Sequence, residues 1–365
     1  LQATPTLYDF DSDGDLEIVA LGWDYEVAVM HHDGTMLSGY PLTLSGERMS
    51  KGGAVGDIDG DGSAEIIFGT WGYKLHALSN SGEELAGFPV SLPNRIISEV
   101  SLGNIDNSLD NKLEILVGCD DDYVYAVDYS GATLWSYSNS SQNIRTSPGI
   151  ADINNDGFLE IFFGSYDRFI YGLDYQGNVL PGYPVETGSY ILSSPTFADL
   201  NNDGSDELFV GSNDGAIMGL NNDGSSVSGF PISTGYKVQG TPTMFDFDGD
   251  GDIELVVGND SSLIVADISS AASIQTSWFT HQANYYRTGL YNSGIIVGID
   301  KSIYKSEGFE LGFAYPNPFN PSTNIQYRLS VKTNIRLSVY DLTGREIAVL
   351  ENNTKLPGQY SATWY

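Results

Sequence analysis

The sequence predicts an all-β protein, a β-propeller of six four-stranded blades followed by a small antiparallel β-sandwich. An acidic loop, DFDSDGDLE from Asp9, returns five times at steps of 48, 47, 48, 47 and 47 residues. Short apolar segments of strand character flank each copy, with no helical periodicity between them. After about residue 312 the repeat gives way to a different alternating pattern. A repeat of this period is one supersecondary unit that buries its apolar faces only by stacking on its neighbours.

The elements follow in a constant order. A short strand precedes each loop (PTLYDF, GAVGD, SPGIAD, SPTFAD, PTMFDF), and a continuous apolar strand follows it (EIVAL, EIIFG, EILVG, EIFFG, ELFVG, ELVVG), as expected for burial on both faces. A third, alternating strand comes next (YEVAVM, YKLHAL, YVYAV, FIYGL, SLIVAD), then a turn and a fourth region. Gly39-Tyr40-Pro41, Gly87-Phe88-Pro89, Gly182-Tyr183-Pro184 and Gly229-Phe230-Pro231 mark that fourth region. Six blades fill residues 1–291. Because the first opens on its innermost strand, a seventh blade upstream is expected in a longer chain.

Bulk composition narrows the function. The 365 residues hold 48 acids against 16 bases, a formal charge of −32, which repels nucleic acid and anionic lipid and attracts cations. The single cysteine, Cys119, excludes an internal disulfide and follows a buried strand, as a core residue would. No apolar run reaches the roughly 18 residues of a membrane helix. His31, His32, His76 and His281 show no metal-binding spacing; His76 reads as packing, and His31 and His32 as exposed beside a turn. No nucleophile and base stand together in the sequence, so no catalytic residue is assigned.

The loops read as metal sites. The pattern D-x-D-x-D-G-x-x-E puts oxygens at positions 1, 3, 5 and 9, a backbone carbonyl at 7 and a glycine at the tight turn. The positions are Asp9, Asp11, Asp13, Asp15 and Glu17 in the first loop and Asp57, Asp59, Asp61, Ser63 and Glu65 in the second. The fourth has Asp152, Asn154, Asp156, Phe158 and Glu160, and the fifth Asp199, Asn201, Asp203, Ser205 and Glu207. The sixth has Asp246, Asp248, Asp250, Asp252 and Glu254. The third is degenerate: Asn104 opens it, two residues are inserted, Asn111 replaces the glycine, and Asp106, Asp110 and Glu114 are its only acids, so it is the loop expected to stay empty. Hard oxygen donors on a flexible loop suit Ca²⁺. No helix flanks the loops and position 12 of the first is Ala20, which separates them from the EF-hand. The alternative is a solvated acidic turn, but these loops hold 24 of the 48 acids.

These loops resemble those of FG-GAP or VCBS-type repeats, which implies a calcium-stabilised propeller over residues 1–291. TSWFTHQANYYRTGLY, Thr276 to Tyr291, is similar to the segment that closes such arrays. After a linker, residues 292–311, AYPNPFNPSTNIQYRL from Ala314 and NIRLSVYDLTGREIAVL from Asn334 resemble the type A sorting domain of the type IX secretion system. That resemblance implies an Ig-like β-sandwich over 312–365, cut short of the family's last strands. It also implies handling by the type IX machinery and a secreted or cell-surface location in a Gram-negative bacterium of the Bacteroidetes type.

A second constellation is basic. Of nine Lys or Arg before residue 291, Arg48, Arg95, Arg145 and Lys237 lie seven to nine residues ahead of a loop, and Tyr190 holds that offset in the fifth copy. They fall on the connection between blades, on the face away from the acidic loops. Pairing with neighbouring acids is the plain reading. An anionic ligand is the functional one. The sequence thus predicts a binding or adhesion module for an extracellular glycan or protein. The alternatives are a polysaccharide-active enzyme, such as a lyase on acidic glycans, and the non-catalytic C-terminal part of a larger secreted hydrolase.

Overall fold

A computed structural model of the protein describes residues 3–110, 112–138, 142–200, 203–246, 253–269, 278–284, 286–291, 309–315, 323–329, 332–340 and 346–364. It divides into two units, Leu1–Ile296 and Val297–Tyr365.

In the first unit each repeat is one antiparallel sheet with its strands in sequence order. The first sheet is β1 (Thr6–Tyr8), β2 (Glu17–Leu21), β3 (Glu26–Met30) and β4 (Leu42–Thr43). The second is β5 (Ala54–Gly56), β6 (Glu65–Gly69), β7 (Lys74–Leu78) and β8 (Val90–Ser91). The third is β9 (Ser101–Gly103), β10 (Glu114–Gly118), β11 (Tyr123–Val127) and β12 (Thr133–Ser138). The fourth is β13 (Gly149–Ala151), β14 (Glu160–Gly164), β15 (Phe169–Leu173) and β16 (Val185–Glu186). The fifth is β17 (Thr196–Ala198), β18 (Glu207–Gly211), β19 (Ala216–Leu220) and β20 (Ile232–Ser233). The sixth shows β21 (Thr243–Phe245), β22 (Ile253–Gly258) and β23 (Leu263–Ser269); the segment that would hold its fourth strand lies outside the described residues.

The apolar second strands are sandwiched as expected: β6, β10, β14 and β18 are buried at every residue. Their side chains fill the space between adjacent sheets. Leu21 and Val29 meet Val55, Ile66 and Phe68 between blades one and two, and Ile67 and Leu75 meet Leu102 and Val117 between two and three. The core is therefore a set of interfaces between blades, as stacking repeats require. Each Gly-aromatic-Pro segment has a cis X-Pro bond, a feature the sequence reading did not foresee, and leads into a two-residue outer strand. Blade three lacks that segment and has the six-residue β12 instead.

Residues 278–284 and 286–291 form a strap along the inner strands. Phe197 and Met244 donate their backbone N–H to the carbonyls of Trp278 and Phe279, at 3.0 Å each. Leu7 donates to Tyr286 at 2.9 Å, Val55 to Thr288 at 2.8 Å and Leu102 to Gly289 at 2.7 Å. The strap thus visits blades five, six, one, two and three in turn. Among the described residues no further sheet lies between its contacts with blades six and one.

The second unit contains β24 (Phe309–Tyr315), β25 (Thr323–Leu329) and β28 (Gly358–Trp364) in one sheet, and β26 (Thr333–Tyr340) with β27 (Glu346–Lys355) in another. Tyr327, Leu329 and Ala362 pack with Ile335 and Leu337, alternate residues that share one face of their strands. The Pro-Asn-Pro-Phe segment and residues 341–345 lie outside the described residues.

Candidate metal loops and the opposite face

The acidic loops share one internal geometry. The position-1 aspartate accepts the N–H of the loop glycine: Gly14 to Asp9 at 3.1 Å, Gly62 to Asp57 at 2.9 Å, Gly157 to Asp152 at 3.0 Å and Gly204 to Asp199 at 2.9 Å. Gly62 has φ of 93° and open space where a Cβ would sit, so the left-handed backbone alone demands glycine there. The position-9 glutamate opens the buried second strand, and one of its oxygens accepts the N–H of loop position 2. These bonds run from Phe10 to Glu17 (2.8 Å), Ile58 to Glu65 (3.0 Å), Ile105 to Glu114 (2.9 Å), Ile153 to Glu160 (3.0 Å) and Leu200 to Glu207 (2.7 Å).

Those glutamates are buried beside like charge. Burial, reinforced by the loop aspartates and opposed by the backbone bond, pushes Glu65, Glu114 and Glu207 up to about 7 and Glu160 to about 8. A divalent cation would relieve both causes at once. In the first loop Asp9 Oδ1 is sealed from solvent with no hydrogen-bond partner. Ligand atoms of Asp9, Asp11 and Asp13, of Asp57, Asp59 and Asp61, and of Asp199, Asp203 and Glu207 converge within 4.8 Å. The donor set therefore fits a hard divalent ion in loops one, two and five.

The other loops differ in instructive ways. In loop three Asn104 and Ser108 exchange two bonds (2.7 and 2.9 Å), and Ser108 Oγ donates to Asp110 at 2.6 Å. Asn104 Oδ1 and Asp110 Oδ1 thus accept bonds from Ser108, and the first position offers an amide where the other loops have a carboxylate. In loop four Asn154 turns its amide toward Glu160, Nδ2 to Oε1 at 2.9 Å, rather than offering only an oxygen. Phe158 stacks on Tyr175 at 4.5 Å, so position 7 can contribute its carbonyl alone. Asn201, Asp248, Asp250 and Asp252 lie outside the described residues, while Asp246 and the buried Glu254 bracket loop six. His31 is not simply exposed as expected: its Nδ1 lies 3.1 Å from Glu17 Oε1, because the turn after β3 overhangs loop one. His76 is packed as expected, stacked on Phe68 and bonded to Glu84 at 2.9 Å. Cys119 is buried, its thiol pushed up to about 12 by desolvation.

On the opposite face the connections between blades lie against the turns after the second strands. Trp71 and Asp120 donate their backbone N–H to Arg48 and Arg95, at 2.9 Å each, and Asn213 and Asp260 to Tyr190 and Lys237, at 3.1 Å each. In blade four the equivalent acceptor is Asn143, bonded by Tyr166 at 3.2 Å, so Arg145 sits two residues past the shared position. The side chains form a continuous strip. The Arg48 guanidinium covers the Trp23 ring at 5.1 Å and the Tyr25 ring at 5.7 Å, and Arg95 covers Trp71 at 4.8 Å, while the two tryptophans meet edge to face at 4.9 Å. Arg145 grips the buried Asp120 with two bonds, 2.7 and 2.9 Å, and Arg95 reaches the same carboxylate at 3.5 Å. Arg145 also lies over Tyr166 at 5.2 Å, which stacks on Tyr190 at 5.0 Å. Lys237 is exposed on its own connection.

Sequence reasoning found the cations and Tyr190 and missed the turn residues they lie against. Trp23, Trp71, Tyr166 and Asn213 each stand fourteen residues after a loop begins, an offset that aligning the repeats would have exposed.

The sheets and strap define a β-propeller, and the comparisons agree. Over all of this chain and 97% of its own, BamB from Moraxella catarrhalis is similar at TM-score 0.51 and 14% identity. Sqt1 from Saccharomyces cerevisiae is similar over 70% of this chain and 69% of its own, at TM-score 0.54 and 14% identity. No curated protein matches the sequence. The FG-GAP-like repeat family matches residues 9–68 and 199–257, and the secretion system C-terminal sorting domain family matches 314–362. The chain carries FG-GAP-like repeats and a type IX sorting domain, so it is a protein secreted or displayed at the cell surface in Bacteroidetes.

Proposed function

We propose that this secreted propeller is a calcium-stapled binding module that takes an anionic extracellular glycan, of the uronate-bearing class, on the face opposite the loops. The observation that carries the reading is the strip from Tyr25 through Trp23, Arg48, Trp71 and Arg95 to Arg145 and Tyr166. Aromatic faces suit the apolar faces of sugar rings, and guanidinium groups suit carboxylates. Two arginines share the one carboxylate of Asp120, and Arg48 contacts aromatic groups and the Tyr25 hydroxyl in the strip, which leaves guanidinium hydrogen-bonding capacity for a carboxylate. Ca²⁺ in the loops would be held by the position 1, 3, 5 and 9 oxygens and the position 7 carbonyl, and would screen the loop carboxylates from one another.

Titration calorimetry with polygalacturonate and with a neutral glycan of equal length tests the reading. Binding of the acidic polymer that falls at least tenfold in Trp71→Ala and in Arg48→Ala supports it. Equal binding by both variants and the parent overturns it. Release of unsaturated uronate would turn the assignment to the lyase alternative.

A further inference from the structure

The turn between the second and third strands holds its last residue in the left-handed region in five blades: Tyr25 (φ 74°), Tyr73 (φ 70°), Asp122 (φ 75°), Arg168 (φ 80°) and Gly215 (φ 94°). The fold sets that backbone, because the carbonyls of Tyr25, Tyr73, Arg168 and Gly215 accept the N–H groups of Leu44, Leu92, Thr187 and Thr234, at 2.8 Å each. Glycine adopts it freely, as in blade five, whereas a tyrosine there is strained. Such strain clusters where a side chain meets a ligand.

Tyr25 and Arg168 have visible partners. The Arg48 guanidinium covers the Tyr25 ring and donates Nε–H to its hydroxyl at 3.3 Å, and Arg168 lies 3.6 Å from Glu186. Tyr73 is 47% exposed, and among the described residues its side chain makes no hydrogen bond or ring contact. Trp71, two residues before it, is committed on three sides: under Arg95 at 4.8 Å, against Trp23 at 4.9 Å and through Nε1 to Ser50 Oγ at 2.9 Å. Tyr73 thus carries the open aromatic face of this turn. Arg95 stands to blade two as Arg48 does to blade one, but is held loosely. Arg145 takes both oxygens of Asp120, at 2.7 and 2.9 Å, while Arg95 reaches one of them from 3.5 Å and is 37% exposed. Glu47, the carboxylate beside Gly72 in the same turn, is paired with Lys74 at 3.1 Å and bonded by Thr70 at 2.6 Å.

We propose that Tyr73 is a further ligand-binding residue and that, with Trp71 and Arg95, it forms the subsite for one uronate residue, the apolar face of the sugar on the Tyr73 ring and its carboxylate on Arg95. The inference rests on reading this face as the glycan site, and it names where the charge of the glycan is recognised. Arg95 can turn from Asp120 to a ligand without stranding that buried carboxylate, because Arg145 keeps both oxygens.

Titration calorimetry with polygalacturonate, alongside thermal melting, tests this on the full chain. Tyr73→Gly, which installs the residue of blade five, is expected to weaken binding about tenfold while its melting temperature stays level or rises as the backbone strain is relieved. Tyr73→Phe keeps the ring and is expected to bind as the parent does, and Arg95→Gln to weaken binding by a similar factor. Affinity equal to the parent's in Tyr73→Gly or in Arg95→Gln overturns the proposal and leaves the glycan reading standing. A melting temperature that falls together with affinity in Tyr73→Gly makes Tyr73 a structural residue and also overturns it. A parent that binds no polygalacturonate overturns the glycan reading itself, so the two failures are told apart.

Discussion

Glu99 Oε2 lies 2.9 Å from Nε2 of His281, pairing a carboxylate on the connection into blade three with the strap that runs along the inner strands. The pair belongs to a polar circuit between blades. Gly52 N–H and Ser147 Oγ donate to Glu99, at 3.4 and 3.0 Å. Ser147 N–H reaches Ser194 at 3.0 Å, Ser194 N–H reaches Thr241 at 3.3 Å, and Thr241 meets His281 Nδ1 at 3.3 Å. Most links join residues one repeat apart, so the regular period is also the spacing of the lock.

Glu99→Ala should therefore destabilise the propeller by about 3 kcal/mol, because it breaks a buried pair and strands the donors of Gly52 and Ser147. Urea unfolding followed by tryptophan fluorescence measures it. A loss below about 0.5 kcal/mol would remove the circuit from any role in ring closure.

The same carboxylate sets an acid limit. Burial raises Glu99, but His281, with Lys51 and Ser147, outweighs burial and holds the group well below its ordinary 4.5. A depressed folded value contributes stability that is present above the unfolded value and lost as pH falls from about 4.5 toward 2. Glu99→Gln should be less stable at neutral pH and should flatten the decline across that window. A decline as steep in the variant as in the parent would place the acid sensitivity elsewhere.

The loop glutamates titrate in the opposite sense. Glu65 and Glu207, raised to about 7 without metal, favour the folded state most below their unfolded value and lose that contribution as pH rises through about 7. In EDTA the protein should lose stability from about pH 5 to 8, and Ca²⁺ should cancel the loss. At ~10⁻² M Ca²⁺ and a dissociation constant of ~10⁻⁴ to 10⁻³ M, each occupied loop adds about 1.4 to 2.7 kcal/mol. Melting temperatures with and without chelator across that range decide it; a calcium shift that is absent, or constant with pH, contradicts the expectation.

How much of this was legible beforehand follows from contact range. The acidic loop, the sandwiched strand after it and the glycine at its turn are local patterns, and Asp57 through Glu65 could be placed by eye. Glu99 and His281 are brought together only by the closed sheet order, so no spacing rule reaches them, whereas His31 meets Glu17 through the local β2–β3 register, in which Ile18 faces Met30. Tyr166 and Trp71 were readable in principle but hid among ordinary strand aromatics.

Loops two and three make a matched comparison. Loop two points three aspartates at one space, whereas loop three ties Asn104, Ser108 and Asp110 to one another and has Lys112 over Tyr129 at 3.6 Å. Asp57→Ala should remove about 1.4 to 2.7 kcal/mol of calcium-dependent stability, the linkage contribution of one site. Asp106→Ala should leave the calcium response unchanged, since its carboxylate only accepts the Ser108 N–H at 3.0 Å on an exposed turn. Calorimetric stoichiometry checks the same point: one Ca²⁺ fewer in Asp57→Ala and none fewer in Asp106→Ala. Loss of an ion in the second variant would mean that loop three rearranges to bind, overriding bonds that hold it shut.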